Sequence, residues 1–247
     1  MRHKDRKIES VGDLIGLLKE DKVDEAPTWF RGQGRATWDL VPSIGRNPIH
    51  LTAELTSIKR FKQDAWSHIS SPPSDEWGWI STMQHYRAKT RLLDWSENPL
   101  VALYFALANS DDDSERGALW CLDPVALNSE SGHRRAFAMD ILAFGDPELE
   151  SYLPDQVDAR KASLDPLAVI GPRNTSRMVA QSGTFTIIHA EPRPIEKVGK
   201  KKHIWRYTIS PGVKREIRRE LQIIGVTEYA IFPELDRVVS IAKGLFS

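Results

Sequence analysis

Three places in the chain set polar or charged side chains among residues that should be buried, and chemistry is to be sought there first. Arg31 stands between aromatic and glycine neighbours in Trp29-Phe30-Arg31-Gly32-Gln33. An inward guanidinium in such a strand must be paired or must bind an anion. The competing reading is an ion pair between Arg31 and Asp94 that merely locks the core. The second place is Thr90-Arg91-Leu92-Leu93-Asp94-Trp95-Ser96, where two opposite charges and a tryptophan precede the wholly apolar run Leu100 to Ala108. Either Arg91 and Asp94 satisfy each other and the free N–H groups of a helix, or they floor a pocket. In the pocket reading Trp95 and Tyr104 are stacking walls and Ser96 is a hydrogen-bonding group. The third place is Gln181-Ser182-Gly183-Thr184-Phe185 together with Glu228. Gly183 permits close backbone approach of a ligand, and a strand carboxylate at Glu228 stabilises an oxocarbenium-like centre or orients a nucleophile. Strand sides alternate, so an outward-facing Glu228 is the plain alternative.

Other chemistries are poorly served. The histidines, at 3, 50, 68, 85, 133, 189 and 203, include no pair at the helical spacing a zinc site needs, so no metal is expected. There is no Walker lysine loop and no Gly-x-Ser-x-Gly elbow. The single cysteine, Cys121 in Ala118-Leu119-Trp120-Cys121-Leu122, excludes an internal disulfide and reads as a buried strand residue. Met1-Arg2-His3-Lys4-Asp5-Arg6 is polar rather than a signal peptide, and no apolar stretch is long enough to span a bilayer, so a cytoplasmic protein without membrane contact is expected. Lys+Arg and Asp+Glu balance at 34 each, which removes any global field. Residues 193–220 depart from that balance, with ten Lys/Arg against three Glu for a net +7. They form either a solvated loop and helix face or a docking surface for a nucleic acid or protein target.

These residues have to be positioned by elements the patterning predicts. At 247 residues the chain is long enough for a substantial core. Ser10 caps a first helix with Val11, Leu14, Ile15 and Leu18 on one face. Strands are predicted within 28–35, at 38–43, in the first part of 90–99, and at 117–122, 167–170, 183–188, 204–209 and 226–232. Helices are predicted over about 51–69, 77–86 and 97–108, from Ser210 to Gly225, and after the final strand. Ser96 is the expected cap before 97–108, and 111–115 reads as an acidic solvated loop. Residues 124–165 carry little pattern. The expected class is α+β, a single domain with a mixed, mostly antiparallel sheet flanked by helices.

The same segments resemble the FRG-domain family, named for a Phe-Arg-Gly motif that stands here as Phe30-Arg31-Gly32. The resemblance runs through Gln33, Trp38, Leu40-Val41-Pro42-Ser43, Gln84-His85-Tyr86, Thr90 to Ser96, Asn98-Pro99, Ala102 to Ala106, Gln181 to Phe185 and Phe232 to Asp236. It implies an N-terminal helix in residues 1–27 and an FRG domain over 28–247, in a family of uncertain biochemical function. A second resemblance is to ADP-ribosyltransferases, in the order Arg31, then Trp95-Ser96-Glu97-Asn98-Pro99 leading through Ala102 to Ala106, then Glu228-Tyr229. That resemblance implies an ADP-ribosyltransferase-like fold and NAD as substrate. Arg31 would then hold a phosphate or ribose, Ser96 and Trp95 would shape the nicotinamide pocket, and Glu228 would orient the ribose and the nucleophile. Gln33, His85, Arg91 and Asp94 join Tyr104, Gln181 and Gly183 as expected binding residues. The function implied is an effector, a toxin or antiphage protein that modifies a protein or nucleic acid. The alternative is a non-catalytic nucleotide- or nucleic-acid-binding module.

Overall fold

The computed structural model describes residues 1–107, 114–133, 141–157 and 163–234. Its strands are β1 (Arg6–Ile8), β2 (Trp29–Gln33), β3 (Leu92–Ser96), β4 (Gly117–Leu122), β5 (Leu142–Ala143), β6 (Leu167–Ile170), β7 (Gly183–Ile187) and β8 (Ile204–Ile209). The helices are α1 (Val11–Glu20), α2 (Pro48–Ala65), α3 (Glu76–His85), α4 (Pro99–Leu107), α5 (Pro124–Glu130), α6 (Ser176–Ala180), α7 (Lys214–Ile223) and α8 (Glu228–Ile231). The α+β class holds. All eight strands lie in one mixed sheet in the order β1-β8-β4-β2-β3-β7-β6-β5, parallel only at its two edges, where β1 joins β8 and β5 joins β6.

The sheet has a weak seam. β2 runs a full ladder with β4, from Trp29↔Leu122 to Gln33↔Ala118, and β3 does the same with β7, from Leu92↔Ile187 to Ser96↔Gly183. Between β2 and β3 the only bridge is Phe30↔Ser96. The sheet is therefore two four-stranded halves joined at one residue pair, and beyond it the strands diverge. Directly opposed antiparallel residues face the same side, so Phe30 shares a face with Ser96, Asp94 and Leu92. On this face α1, α4 and α7 cover one half of the sheet through Leu14, Leu103 and Ile217. Helices α2, α3 and α6 cover the other half through Ile58, Ile80 and Met178. A third cluster, with Trp29, Leu93, Trp95, Trp120 and Leu127, fills the opposite face.

Local chemistry explains most elements and the misses. Ser10 caps α1 by accepting from Asp13 N, as expected. Asp75 caps α3 through Gly78 N. The cap of α4 is Asn98 rather than Ser96: Asn98 Oδ1 accepts from Leu100 N, while Ser96 Oγ accepts one residue earlier, from Asn98 N. The strand predicted at 38–43 does not form. Leu40 N is taken by the Glu196 carboxylate and Pro42 has no N–H, so the segment runs instead into a short 3-10 turn, Ser43–Arg46. Nor does the strand predicted at 226–232 form. Gly225, at φ +82°, ends α7, Val226 N bonds back to Leu221 O, and Thr227 caps α8, so Glu228 begins a helix. The weakly patterned 124–165 region holds α5, β5 and a 3-10 turn, Pro147–Tyr152. Residues 111–113 of the acidic loop and the closing helix beyond 234 lie outside the described residues.

Two buried features hold the seam region in place. Arg91 gives Nε to Glu54 Oε1 at 3.0 Å, pairs again with Glu54 Oε2 at 2.5 Å, and donates Nη1 to the Tyr152 carbonyl. This clamp of α2 onto β3 consumes Arg91 in structure. On the other side, α4 rests directly on β2 at Gly32, where an added Cβ would collide with the backbone Ala102 O and Ala106 N. Neither obstacle is a side chain that can rotate away. Gly32→Ala is therefore expected to destabilise by more than the roughly 1–3 kcal/mol usual for overpacking, read from urea or thermal unfolding. A variant as stable as the parent would show that α4 does not sit on β2 in this way.

Candidate functional site

The divergence of β2 from β3 opens a cavity of about 240 Å³. Its floor is Phe30, Arg31, Gly32, Asp94, Trp95 and Ser96, from the two parting strands. α3 contributes Ser81, Gln84 and His85, α4 contributes Ala102 and Phe105, and the α6 region contributes Arg177, Met178 and Gln181. The cavity thus lies over the seam, between the helices of one half-sheet and those of the other.

Arg31 is the centre of the floor. Its Nη1 donates to the Asp94 carbonyl, a side-chain bond across strands that share no further ladder pairs. No carboxylate lies within ion-pair distance of it among the described residues, and its Nε is buried without a hydrogen-bond partner. Burial pushes its pKa down to about 10, Asp94 acts to raise it and the nearby charge of Arg46 to lower it, so it stays a cation at neutral pH. The expected ion pair is thus present only as a field between Arg31 and Asp94, with the contact made to the Asp94 backbone.

The Asp94 side chain is fixed from α3. Gln84 Nε2 donates to Asp94 Oδ2 at 2.7 Å, and Thr90 Oγ1 donates to Gln84 Oε1, which sets the amide's orientation. Burial raises the Asp94 pKa above its ordinary value, more than Arg31, Gln84 and Arg177 lower it. His85 is held below its usual value by burial and by the charge of Arg177, with Glu234 acting against them. Ser96 Oγ donates to the Gln181 carbonyl at 2.6 Å, tying β3 to the turn after α6. Ser182 in that turn has φ +46°, and Gln181 Nε2 reaches the Ile231 carbonyl at 3.2 Å.

The structure brings Arg31, His85, Asp94, Trp95, Ser96 and Gln181 to this one cavity. The other expected site residues are elsewhere. Gln33 is buried and accepts from Trp120 Nε1 at 2.8 Å, and Arg91 is in the clamp with Glu54. Gly183 pairs with Ser96 in the β3–β7 ladder, where an added Cβ would meet nothing nearer than 3.7 Å. Tyr104 and Glu228 line a different cavity, of about 230 Å³, with Leu107, Arg218 and Leu221. The reason for Tyr104 is helical periodicity: Ala102 and Phe105 share the face toward the seam, and residues 104 and 107 share another. Glu228 is displaced because it opens α8 instead of lying on a sheet strand.

Gln84, Arg177 and Phe105 also line the cavity and are not among the expected site residues, although Gln84 and Phe105 stand in segments that carry the family resemblance. Gln84-His85 at the end of a predicted helix was a usable signal for the first. Phe105 lay in an all-apolar run whose faces the sequence does not distinguish, and Arg177 comes from an unpatterned stretch.

Five of the ten basic residues of the 193–220 stretch are engaged within the fold. Arg193 pairs with Asp165, Lys197 with Asp39 and Arg206 with Asp5. Lys214 is buried, donating to the Gly34 carbonyl at 3.4 Å, and Arg218 donates to the Leu107 carbonyl at 2.7 Å. Lys200, Lys201 and Lys202 precede β8, whereas Arg215 and Arg219 follow it in α7.

An α+β protein with a polar cavity at the parting of two central strands is what the fold and site define. The family model of the FRG domain matches residues 26–115, a segment that holds β2, α2, α3, β3 and α4 and with them the whole cavity floor. That match supports the FRG family for this segment; it does not extend to ADP-ribosyltransferases, and it ends well short of the 28–247 span that the motifs imply. No curated protein and no solved structure matches the chain. Among the described residues no group of three metal-ligating side chains occurs and no helix is long and apolar enough to cross a membrane.

The raised pKa of Asp94 has a consequence for stability. The folded protein keeps this proton to higher pH than the unfolded chain, so the group's contribution is full below its unfolded value and is lost as pH rises through the folded one. Asp94→Asn keeps an acceptor for Gln84 and cannot ionise. It is expected to raise the urea midpoint near pH 7, with the gain shrinking toward zero near pH 3. An equal gain at both pH values would trace it to something other than ionisation.

Proposed function

We propose that the cavity over the seam binds a nucleotide, with NAD as the ligand, holding a phosphate on Arg31 and one ring against Phe30 and Phe105. The observation that carries this reading is Arg31: a cation on a cavity floor, with a buried Nε lacking a partner, in a cavity that Phe30 and Phe105 also line. Anionic ligands with a flat ring satisfy both features, the guanidinium fork taking phosphate oxygens and the aromatics taking the ring. Neutral polar ligands would leave the charge unmet.

Calorimetric titration with NAD, nicotinamide mononucleotide and AMP tests it. The wild-type chain is expected to bind, and Arg31→Ala to weaken binding roughly 10- to 100-fold, the worth of charge-assisted hydrogen bonds. Arg31→Lys keeps the charge without the fork, guards against a folding defect and should recover part of the loss. Glu228→Gln should bind like the parent. Absence of binding by the parent at about millimolar concentration, which corresponds to roughly −4 kcal/mol, would overturn the proposal.

A second reading, ADP-ribosyl transfer to a protein or nucleic acid as the act of a toxin or antiphage effector, is favoured by Asp94. Its carboxylate shares the cavity with Arg31 and Ser96, and Glu228 does not. In this reading the bond from the ribose to the nicotinamide nitrogen breaks with its electron pair going to nicotinamide. A bond from the ribose to the target nucleophile forms, and the nucleophile's proton passes to Asp94. Label from the adenylate half of NAD should appear on a target with the parent and fall at least tenfold with Asp94→Asn. Undiminished labelling by that variant would remove Asp94 from the chemistry.

A further inference from the structure

A second concavity, of about 420 Å³, shares no lining residue with the one over the seam. Trp38, Val41, Pro192 and Pro194 make its wall apolar, and Asp39 and Arg46 set a carboxylate and a guanidinium among them. The two loops that build it are fixed. In the first, Ala36 N donates to the Arg116 carbonyl at 2.7 Å, and the Ala36 carbonyl accepts from Arg206 Nη1 at 2.8 Å. Leu40 joins that loop to the second: its carbonyl accepts from Ile195 N at 3.2 Å, and its N–H donates to the Glu196 carboxylate at 3.2 Å. A ligand therefore meets a formed surface, and no loop has to be ordered to receive it.

The chemistry of this surface is aromatic and basic. Trp38 is 43% exposed, and the Arg35 guanidinium lies 5.9 Å from its ring centroid. Arg35 and Arg46 are exposed, and neither has a carboxylate within ion-pair distance among the described residues. The nearby acids are engaged, Asp39 with Lys197 Nζ at 3.3 Å and Glu196 with Leu40 N. An open tryptophan with two unpaired guanidinium groups around it fits a base stacked on the ring and phosphates on the cations. An apolar or proline-rich peptide would leave both cations unmet. A duplex keeps the faces of its bases inside its own stack, so the strand must be single. Asp39 narrows the choice further. A carboxylate offers nothing to a phosphate, but it accepts from the 2′-hydroxyl that only ribose carries.

We infer that this concavity docks single-stranded RNA, with one base stacked on Trp38, backbone phosphates on Arg35 and Arg46, and a ribose 2′-hydroxyl donating to Asp39. The surface does not rest on the NAD reading of the seam cavity, since it uses none of that cavity's residues. Its unpaired cations also lie outside the basic 193–220 stretch.

Fluorescence anisotropy with a labelled uridine oligonucleotide and its deoxyuridine counterpart, over a salt series and on the full chain, tests this. The variants are Trp38→Ala, Trp38→Phe, Arg46→Ala and Asp39→Ala, with Arg215→Ala, at an exposed arginine of α7, as the charge control. Unfolding midpoints establish that each variant folds. The parent should bind the ribose strand several-fold tighter than the deoxy strand, with affinity falling as salt rises. Trp38→Ala should weaken binding about tenfold or more, the worth of one stacked base, and Trp38→Phe should keep most of the affinity. Arg46→Ala should lower the slope of log affinity against log salt by about 0.7, one phosphate of a single strand, while Arg215→Ala leaves slope and affinity as in the parent. Asp39→Ala should bring the two strands to equal affinity. Unchanged binding by Trp38→Ala, equal binding of the two strands by the parent, or a loss with Arg215→Ala as large as with Arg46→Ala would overturn the inference. So would no binding by the parent at about 100 μM, the weak end of ordinary non-specific affinity. None of these results bears on NAD, whose own titration decides the seam cavity.

Discussion

Everything about this cavity depends on how little joins β2 to β3. Strands in the middle of a sheet normally exchange hydrogen bonds along their length, because buried N–H and C=O groups left unpaired are costly. Here each of the two strands spends its full ladder on its other neighbour, and they meet only at Phe30↔Ser96. Past that pair the backbone groups that face each other need other partners, and Arg31 supplies one by donating to the Asp94 carbonyl. A guanidinium thus serves the sheet at the seam. In the proposed reading its remaining donors are what the cavity offers to a ligand, so that structural and binding roles would meet in one side chain.

The surrounding helices keep the seam open. α4 is fixed against β2 by direct backbone contact at Gly32, and α2 is fixed against β3 by the buried Glu54–Arg91 pair. Neither can slide across to fill the gap: the first contact has no side chain to yield, and breaking the second would strand a buried charge at several kcal/mol. The ends of α3 and α6 then supply polar groups to the walls. Each is tied to a floor strand, Gln84 to Asp94 and the Gln181 carbonyl to Ser96. Such cross-ties hold side chains in place before any ligand arrives, which is where a site gains affinity without further contacts.

The electrostatics are those of a shared environment. Burial lowers the pKa of Arg31 and His85 and raises that of Asp94, in each case disfavouring the charged form. Arg31 remains charged because an arginine starts so high, and its field in turn moderates the shift at Asp94. An anion entering beside Arg31 would favour the cation and disfavour ionised Asp94, so ligand binding and the Asp94 proton are coupled by Coulomb's law.

Read from the residues alone, the chain already declared its α+β class, a strand within 28–35 and another early in 90–99, the strands at 117–122, 167–170 and 204–209, and the helices at α1, α3 and α7. These are set by local periodicity and by caps such as Ser10 and Gly225, which act over a few residues. Arg31, Asp94, Trp95, Ser96 and Gln181 were also legible as unusual, because charge or polarity amid apolar strands is costly wherever it occurs. What only the tertiary structure decided was which of these unusual residues meet. Arg91 carries the same signal as Arg31, yet a glutamate from α2 consumes it. Glu228 and Tyr104 were assigned to the site by order along the chain, but a cap at Thr227 and the turn of α4 send both to another cavity. The meeting of side chains depends on which helix face packs inward and where two strands part, and those are set by contacts between segments far apart in sequence, which no local pattern encodes.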